Sequence, residues 1–252
     1  MMRVPSWQRL ESCGHDVGPW TIHSRPWARR SLTHAPWVVV VHGLGVSSRY
    51  MAPLALELST RFRVAVPDLP GHGRTPARGR RLGVADMARA LASWMVVAGI
   101  GDAHLVGSSL GCQVTLQVAA DGQVPVARLL LVGPTMDPSA PTPGGQLSRL
   151  LRGAPHEPVP LVLLTASEQL HRPAQAWHEL RAGLEHPLHG VAREVVNPTV
   201  LVRGADDHVA PSAWLRQLAG WLPAAEVVDL PVGAHGVHYE HPDLVAPLLR
   251  GG

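Results

Sequence analysis

His104-Leu105-Val106-Gly107-Ser108-Ser109-Leu110-Gly111 is the stretch that decides the fold. An apolar run enters it, and a helix-forming run from Cys112 to Ala120 leaves it. A serine set between two glycines at a strand-to-helix turn has its hydroxyl pushed out over the edge of a sheet. Gly107 and Gly111 bracket Ser109, where bulkier residues would collide as the chain folds back. Ser108 is the rival by adjacency but lacks that bracket. A serine hydroxyl is a poor nucleophile at neutral pH and needs an adjacent base. Gly204-Ala205-Asp206-Asp207 and then Ala234-His235-Gly236 follow in the chain, so an acid and a histidine come after the serine. That set of residue types supports acyl transfer through a covalent intermediate on Ser109.

Around this turn, short apolar runs alternate with longer helical patterns, the signature of βαβ units and a parallel sheet. The four valines from Val38 to Val41 suit a central strand buried on both faces. Further strands are predicted at Val64–Val66, His104–Val106, Leu129–Val132, Val200–Val202 and Val227–Leu230. Val84, Met87, Leu91 and Trp94 share one helical stripe, which predicts a helix over 84–98 ended by Gly99 and Gly101. Helices are also predicted over 212–221, capped by Ser212, and over 242–249, with proline at its start.

Between Gly133 and Asn197 the alternation fails. Prolines crowd the segment, yet it keeps Leu147, Leu150, Leu151, Leu161 to Leu164, Trp177, Leu180 and Leu184. Apolar content of that kind argues against a flexible linker and for an inserted cap of short helices over the strand ends. Its leucines and Trp177 suit an apolar acyl or alcohol group, and Met136, Leu151, Trp177 and His208 are the candidate pocket residues. The basic and acidic residues of the segment nearly balance, giving no signal for an anionic substrate.

His42-Gly43-Leu44-Gly45 follows the valine strand directly. A glycine-bracketed turn there can aim the Leu44 backbone N–H at the serine, and with the Leu110 N–H it would make a two-donor oxyanion hole. His42 itself reads as structural.

Jointly, His42 to Gly45, Asp68-Leu69-Pro70-Gly71-His72-Gly73-Arg74, Gly107 to Gly111, Gly204 to Asp207 and His235 followed by Glu240 resemble the α/β-hydrolase superfamily. The resemblance spans residues 38 to 249 and implies a mostly parallel central sheet flanked by helices, with a helical cap insertion. The implied division is a core of 1–134 and 196–252 and a cap of 135–195. It implies Ser109, Asp207 and His235 as catalytic residues, with Asp206 and Asp137 as alternative acids and His238 and His241 as alternative bases. The acid would hold the imidazole tautomer and stabilise the imidazolium. The Asp68 to Gly73 loop is structural in most members. A serine nucleophile sets aside the dehalogenases and epoxide hydrolases of this fold, which use aspartate. Carboxylic ester hydrolysis is the implied activity, with thioesters and lactones open to the same machinery. Carbon–carbon hydrolases of ring-cleavage products usually carry a serine- or glycine-rich oxyanion loop and a tryptophan after the histidine; this chain has Leu44 and Gly236 there. A hydrolase-like protein that binds without turnover, and acyl transfer to an alcohol or amine, stay open as alternatives.

The composition excludes some chemistry outright. The 252 residues contain no lysine; all 22 basic residues are arginine, so neither a Schiff-base lysine nor a Walker-A lysine exists. Arginine clusters at Arg74, Arg78, Arg80 and Arg81 and at Arg25, Arg29 and Arg30 come without a nucleic-acid motif and read as solvated surface. Two cysteines are too few for a disulfide framework. Met1 to Leu10 has no signal-peptide apolar core, and Trp37 to Val41 is too short to span a bilayer. These features predict a soluble, cytoplasmic protein acting on a small-molecule acyl substrate, with no nucleic-acid partner. Of 15 histidines, His186 and His189 have a spacing that could hold a metal, but Pro187 intervenes and no Cys partner or H-E-x-x-H sequence accompanies them. No metal and no cofactor is expected.

Overall fold

Val38, Val39, Val40 and Val41 are wholly buried, and alternate valines enter two different cores. They lie on a strand with a parallel neighbour on each side, so no face of it meets water. The computed structural model describes residues 12–27 and 32–250. The predicted features at Met1 to Leu10, and Arg29 and Arg30 of the second arginine cluster, lie outside these.

Along the chain come Cys13–Val17 (β1), Trp20–Trp27 (β2), Trp37–Val41 (β3), Ala52–Leu58 (α1), Arg63–Pro67 (β4), Val84–Val97 (α2), Ala103–Ser108 (β5), Leu110–Asp121 (α3) and Val126–Val132 (β6). Then follow Pro143–Gly153 (α4), Val159–His171 (α5), Pro173–Glu185 (α6), Leu188–Glu194 (α7), Thr199–Arg203 (β7), Ser212–Ala219 (α8), Ala225–Asp229 (β8), Val237–Glu240 (α9) and Pro242–Val245 (α10). One sheet of eight strands runs in the order β1-β2-β4-β3-β5-β6-β7-β8. From β4 to β8 it is parallel, and the β1–β2 hairpin adds two antiparallel strands at one edge. Helices α2, α3 and α8 cover one face through Met87, Leu91, Trp94, Val114 and Trp214. The other face is covered by α1 and the C-terminal segment through Leu54, Leu58, Val245 and Leu249. This is the α/β-hydrolase fold.

The six parallel strands end on one edge, so the loops after β3, β4, β5, β6, β7 and β8 gather there, where open α/β sheets bind ligands. Four helices, α4 to α7, lie between β6 and β7. Of these, α7 packs on α3 and places Leu188, Ala192 and Val195 in the main core. Among the described residues, no helix is long and apolar enough to cross a membrane. Sequence expectations change at two helices: Ser212 is the first residue of α8 and not its cap, and its Oγ donates to Asp229 Oδ2 at 2.8 Å. The final helix is one α-turn over Pro242–Val245 continued by a 3-10 segment over Ala246–Arg250. The β1–β2 hairpin was not anticipated.

Candidate active site

Ser109 sits at the tip of the β5–α3 turn with φ +57° and ψ −123°. A non-glycine residue at positive φ stores strain of about 1–3 kcal/mol, which the surroundings must hold in place. They do so by contact. A Cβ on Gly107 would fall 2.6 Å from the Gly111 carbonyl oxygen, and one on Gly111 would fall 2.6 Å from the Val41 and His42 carbonyls. The Ser109 N–H donates to Val132 O at 2.9 Å, which ties the turn to the end of β6.

Asp207 and His235 meet one residue further along. His235 Nδ1 lies 3.1 Å from Asp207 Oδ2 and 3.2 Å from Oδ1. Asp207 Oδ1 also accepts the N–H groups of Val209 and Ala210, both at 2.9 Å, so its carboxylate is fixed in orientation. The close approach requires Gly133: a Cβ there would lie 2.9 Å from His235 Nδ1 and 3.0 Å from Asp207 Oδ2. Ser109 and His235 therefore abut consecutive residues, Val132 and Gly133. Burial alone would lower the His235 pKa; the Asp207 charge and hydrogen bond, with the Glu157 charge, outweigh it and hold the pKa above 6.5.

The alternatives separate on the same grounds. Asp206 is exposed. Asp137 accepts from Ser139 N and Oγ at 2.8 and 2.9 Å and pairs with Arg149 at 2.5 Å. His238 is fully buried against the Tyr50 ring, and burial with the nearby His235 charge pushes its pKa down to about 3. His241 stands 3.8 Å from Glu240. Among the described residues, no group of three or more His, Cys, Asp and Glu side chains gathers as a metal site would need. His186 meets Gln117, and the His189 ring packs on Trp221.

The His42–Gly45 loop lies directly on the nucleophile. A Cβ on Gly43 would fall 2.8 Å from Ser109 Cβ. His42 Nε2 accepts the Leu69 N–H at 3.1 Å, so its proton is on Nδ1, which donates to Gly43 O at 3.0 Å. Burial and the His72 charge push the His42 pKa down to about 4, consistent with a neutral ring.

Of the candidate pocket residues, Met136 is buried at φ +66° and its Cε would lie 2.6 Å from a Cβ on Gly183 of α6. Leu151 and Trp177 are exposed, at 64% and 53%. His208 is exposed, with its ring 5.3 Å from that of His156. The side chains that reach from the helical insertion to the catalytic edge are others. Glu157 accepts the Gly236 N–H on both oxygens, at 3.1 and 3.0 Å, beside His235. Burial raises the Glu157 pKa above its usual value. Glu168 accepts from Ser47 N and Oγ at 2.7 and 2.8 Å. Glu179, with no exposed surface, accepts the Gly45 N–H at 3.0 Å and stands 2.9 Å from His72 Nε2. Burial opposes both charges of that pair, yet mutual attraction prevails: the His72 pKa is raised and that of Glu179 lowered. Sequence reasoning missed all three glutamates and His72.

Residues 38–248 match the family model described as the alpha/beta hydrolase family, and the chain belongs to that family. It is 28% identical over 257 residues to the magnesium-chelatase 30 kDa subunit of Rhodobacter capsulatus, covering 88% of this chain and 87% of that one. It is 29% identical to the pimeloyl-(acyl-carrier protein) methyl ester esterase of Aromatoleum aromaticum, covering 85% of this chain and 97% of that one. The fold superposes on the crystal structure of the enol-lactonase from Burkholderia xenovorans LB400 with a TM-score of 0.77 at 22% identity, over 94% of this chain and 98% of that one. The protein is a hydrolase.

Proposed function

We propose that the protein hydrolyses carboxylic esters, with thioesters and lactones in reach of the same chemistry, through an acyl-enzyme on Ser109. The observation that carries this reading is the buried Asp207–His235 couple placed against Gly133, one residue from the Val132 carbonyl that anchors Ser109. With Nδ1–H directed to Asp207, His235 Nε2 is free to take the Ser109 proton as Oγ attacks the carbonyl carbon. The N–H groups of Leu44 and Leu110 hold the oxygen that becomes negative, and losing one such donor costs about 3–4 kcal/mol of transition-state stabilisation. His235 then returns the proton to the leaving alcohol, and water activated by the same nitrogen releases the acid. Residues 135–195 act as the cap, in which Gly183 lies against the side chains of Met136 and Leu110. The methyl ester esterase relative supports the ester reading. Cys13 and Cys112 are both free, which fits a cytoplasmic protein.

A fluorophosphonate probe tests the proposal. Wild type is expected to be labelled and to hydrolyse short p-nitrophenyl esters, and Ser109→Ala to do neither. A wild type that stays unlabelled and inert would leave a ligand-binding protein on a hydrolase fold.

A further inference from the structure

We infer that Glu179 and Gln169, both supplied by the helical insertion, position the Leu44 amide as an oxyanion donor; this rests on the esterase reading above. Two peptide units meet at Leu44. The Gly43–Leu44 unit carries the donor N–H at one end and the Gly43 oxygen at the other, and His42 Nδ1–H holds that oxygen at 3.0 Å. The Leu44–Gly45 unit is held from the insertion at both ends. Gln169 Nε2 donates to the Leu44 oxygen at 3.2 Å, and the Gly45 N–H donates to Glu179 Oε2 at 3.0 Å. Peptide units are planar, so the Leu44 N–H moves with the Gly43–Leu44 unit, and holding the next unit as well restricts rotation about the Leu44 α-carbon that would swing it. His42 sets one plane from the core; Gln169 and Glu179 set the other from the insertion.

Glu179 is suited to the task because it cannot wander. Its second oxygen accepts from Gln175 Nε2 at 2.7 Å and faces His72 Nε2 at 2.9 Å. A fully buried carboxylate is tolerated only with such partners. Gly45 itself has φ +65°, and a Cβ there would fall 2.9 Å from Gln169 Cγ, so insertion and loop are in contact across the tether. Glu168 grips the loop again at Ser47. The insertion is thus part of the oxyanion hole: lifting it frees one of the two planes that aim Leu44.

The test compares p-nitrophenyl acetate with its thionoester, whose carbonyl sulfur accepts hydrogen bonds poorly and gains less from aligned donors. Gln169→Ala and Glu179→Gln are expected to lower kcat for the acetate about 10-fold, as for a donor misaligned rather than deleted. KM stays within about 2-fold, and the oxoester-to-thionoester ratio of kcat/KM drops by nearly the same factor as kcat. Gln169 is only partly buried, so its variant keeps the test sound if Glu179→Gln fails to fold. An unchanged ratio in either folded variant, while wild type turns over, overturns the inference and leaves the esterase reading standing. Wild type that neither turns over nor takes label at Ser109 removes both.

Discussion

Replacing Gly43 by alanine presses a methyl group against the nucleophile. The new Cβ would lie 2.8 Å from Ser109 Cβ, 3.2 Å from the Ser108 oxygen and 3.4 Å from Ser109 Oγ. Non-bonded carbons settle at about 3.5–4.0 Å, so loop and serine must part by roughly 1 Å. A misplacement of about 1 Å at reacting atoms costs about 10²-fold in rate. At about 1.4 kcal/mol per decade that is nearly 3 kcal/mol of transition-state free energy. The same loop carries the Leu44 amide, so attack and oxyanion contact deteriorate together. We expect kcat/KM for p-nitrophenyl acetate and the rate of fluorophosphonate labelling each to fall about 10²-fold. Overpacking costs typically 1–3 kcal/mol, against a usual domain stability of about 5–15 kcal/mol, so the variant should fold. Gly190→Ala is the control: it lies in α7 with nothing within 4 Å of the new Cβ, and gains up to about 1 kcal/mol of helix propensity without touching the kinetics. A folded Gly43→Ala protein with wild-type kcat/KM and labelling rate would refute the contact between this loop and the nucleophile.

Glu157→Gln removes a negative charge that stabilises the His235 imidazolium. Catalysis needs the neutral ring, so kcat/KM of wild type should rise with pH through a value above 6.5, and that limb should move to lower pH in the variant. The direction follows from the sign of the lost charge: without the Glu157 carboxylate the imidazolium is less stabilised and gives up its proton at lower pH. An unmoved limb, or one that moves up, contradicts this sign. Asp207→Asn should lower kcat by about 10²–10⁴-fold, since the wrong imidazole tautomer is then favoured. Asp137→Asn should leave kcat near wild type, because its carboxylate serves Ser139 and Arg149; comparable losses in the two variants would reopen the choice of acid.

The strands that build the catalytic edge were legible because burial on both faces leaves an unbroken apolar run, as in Val38–Val41 and Leu129–Val132. The β1–β2 hairpin was not, since it is half-exposed, carries histidine, aspartate and arginine, and gains its order from pairing with β4. At the site, Ser109 announced itself through two glycines whose missing side chains are sterically required. Gly133 has an equally strict role against His235 and Asp207, but a single glycine after a strand carries no pattern that distinguishes it from an ordinary turn. Leu151 and Trp177 look like pocket residues by composition; which face of a helix meets the core is decided by packing, and both are exposed.

The insertion shows how a charge count can mislead. Its basic and acidic side chains nearly balance, which gives no signal for an anionic substrate. Yet Glu157, Glu168 and Glu179 turn toward backbone N–H groups at Gly236, Ser47 and Gly45, while Arg152, Arg181 and Arg193 stay exposed. Three of its acids face the catalytic edge, whereas Glu185 and Glu194 stay exposed, Asp137 pairs with Arg149 and Arg172 donates to the Gly71 oxygen. Backbone amides accept any carboxylate that reaches them, so such contacts impose no spacing and leave no motif. One trace existed: Glu179 lies three residues after Ala176 and four before Gly183, on the stripe that α6 turns to the core. A carboxylate on an apolar stripe requires a buried partner, and here that partner is His72, in the loop read from sequence as structural. The loop is structural in a stronger sense than the motif implied, because its histidine stands 2.9 Å from the buried carboxylate that fixes the peptide unit next to Leu44.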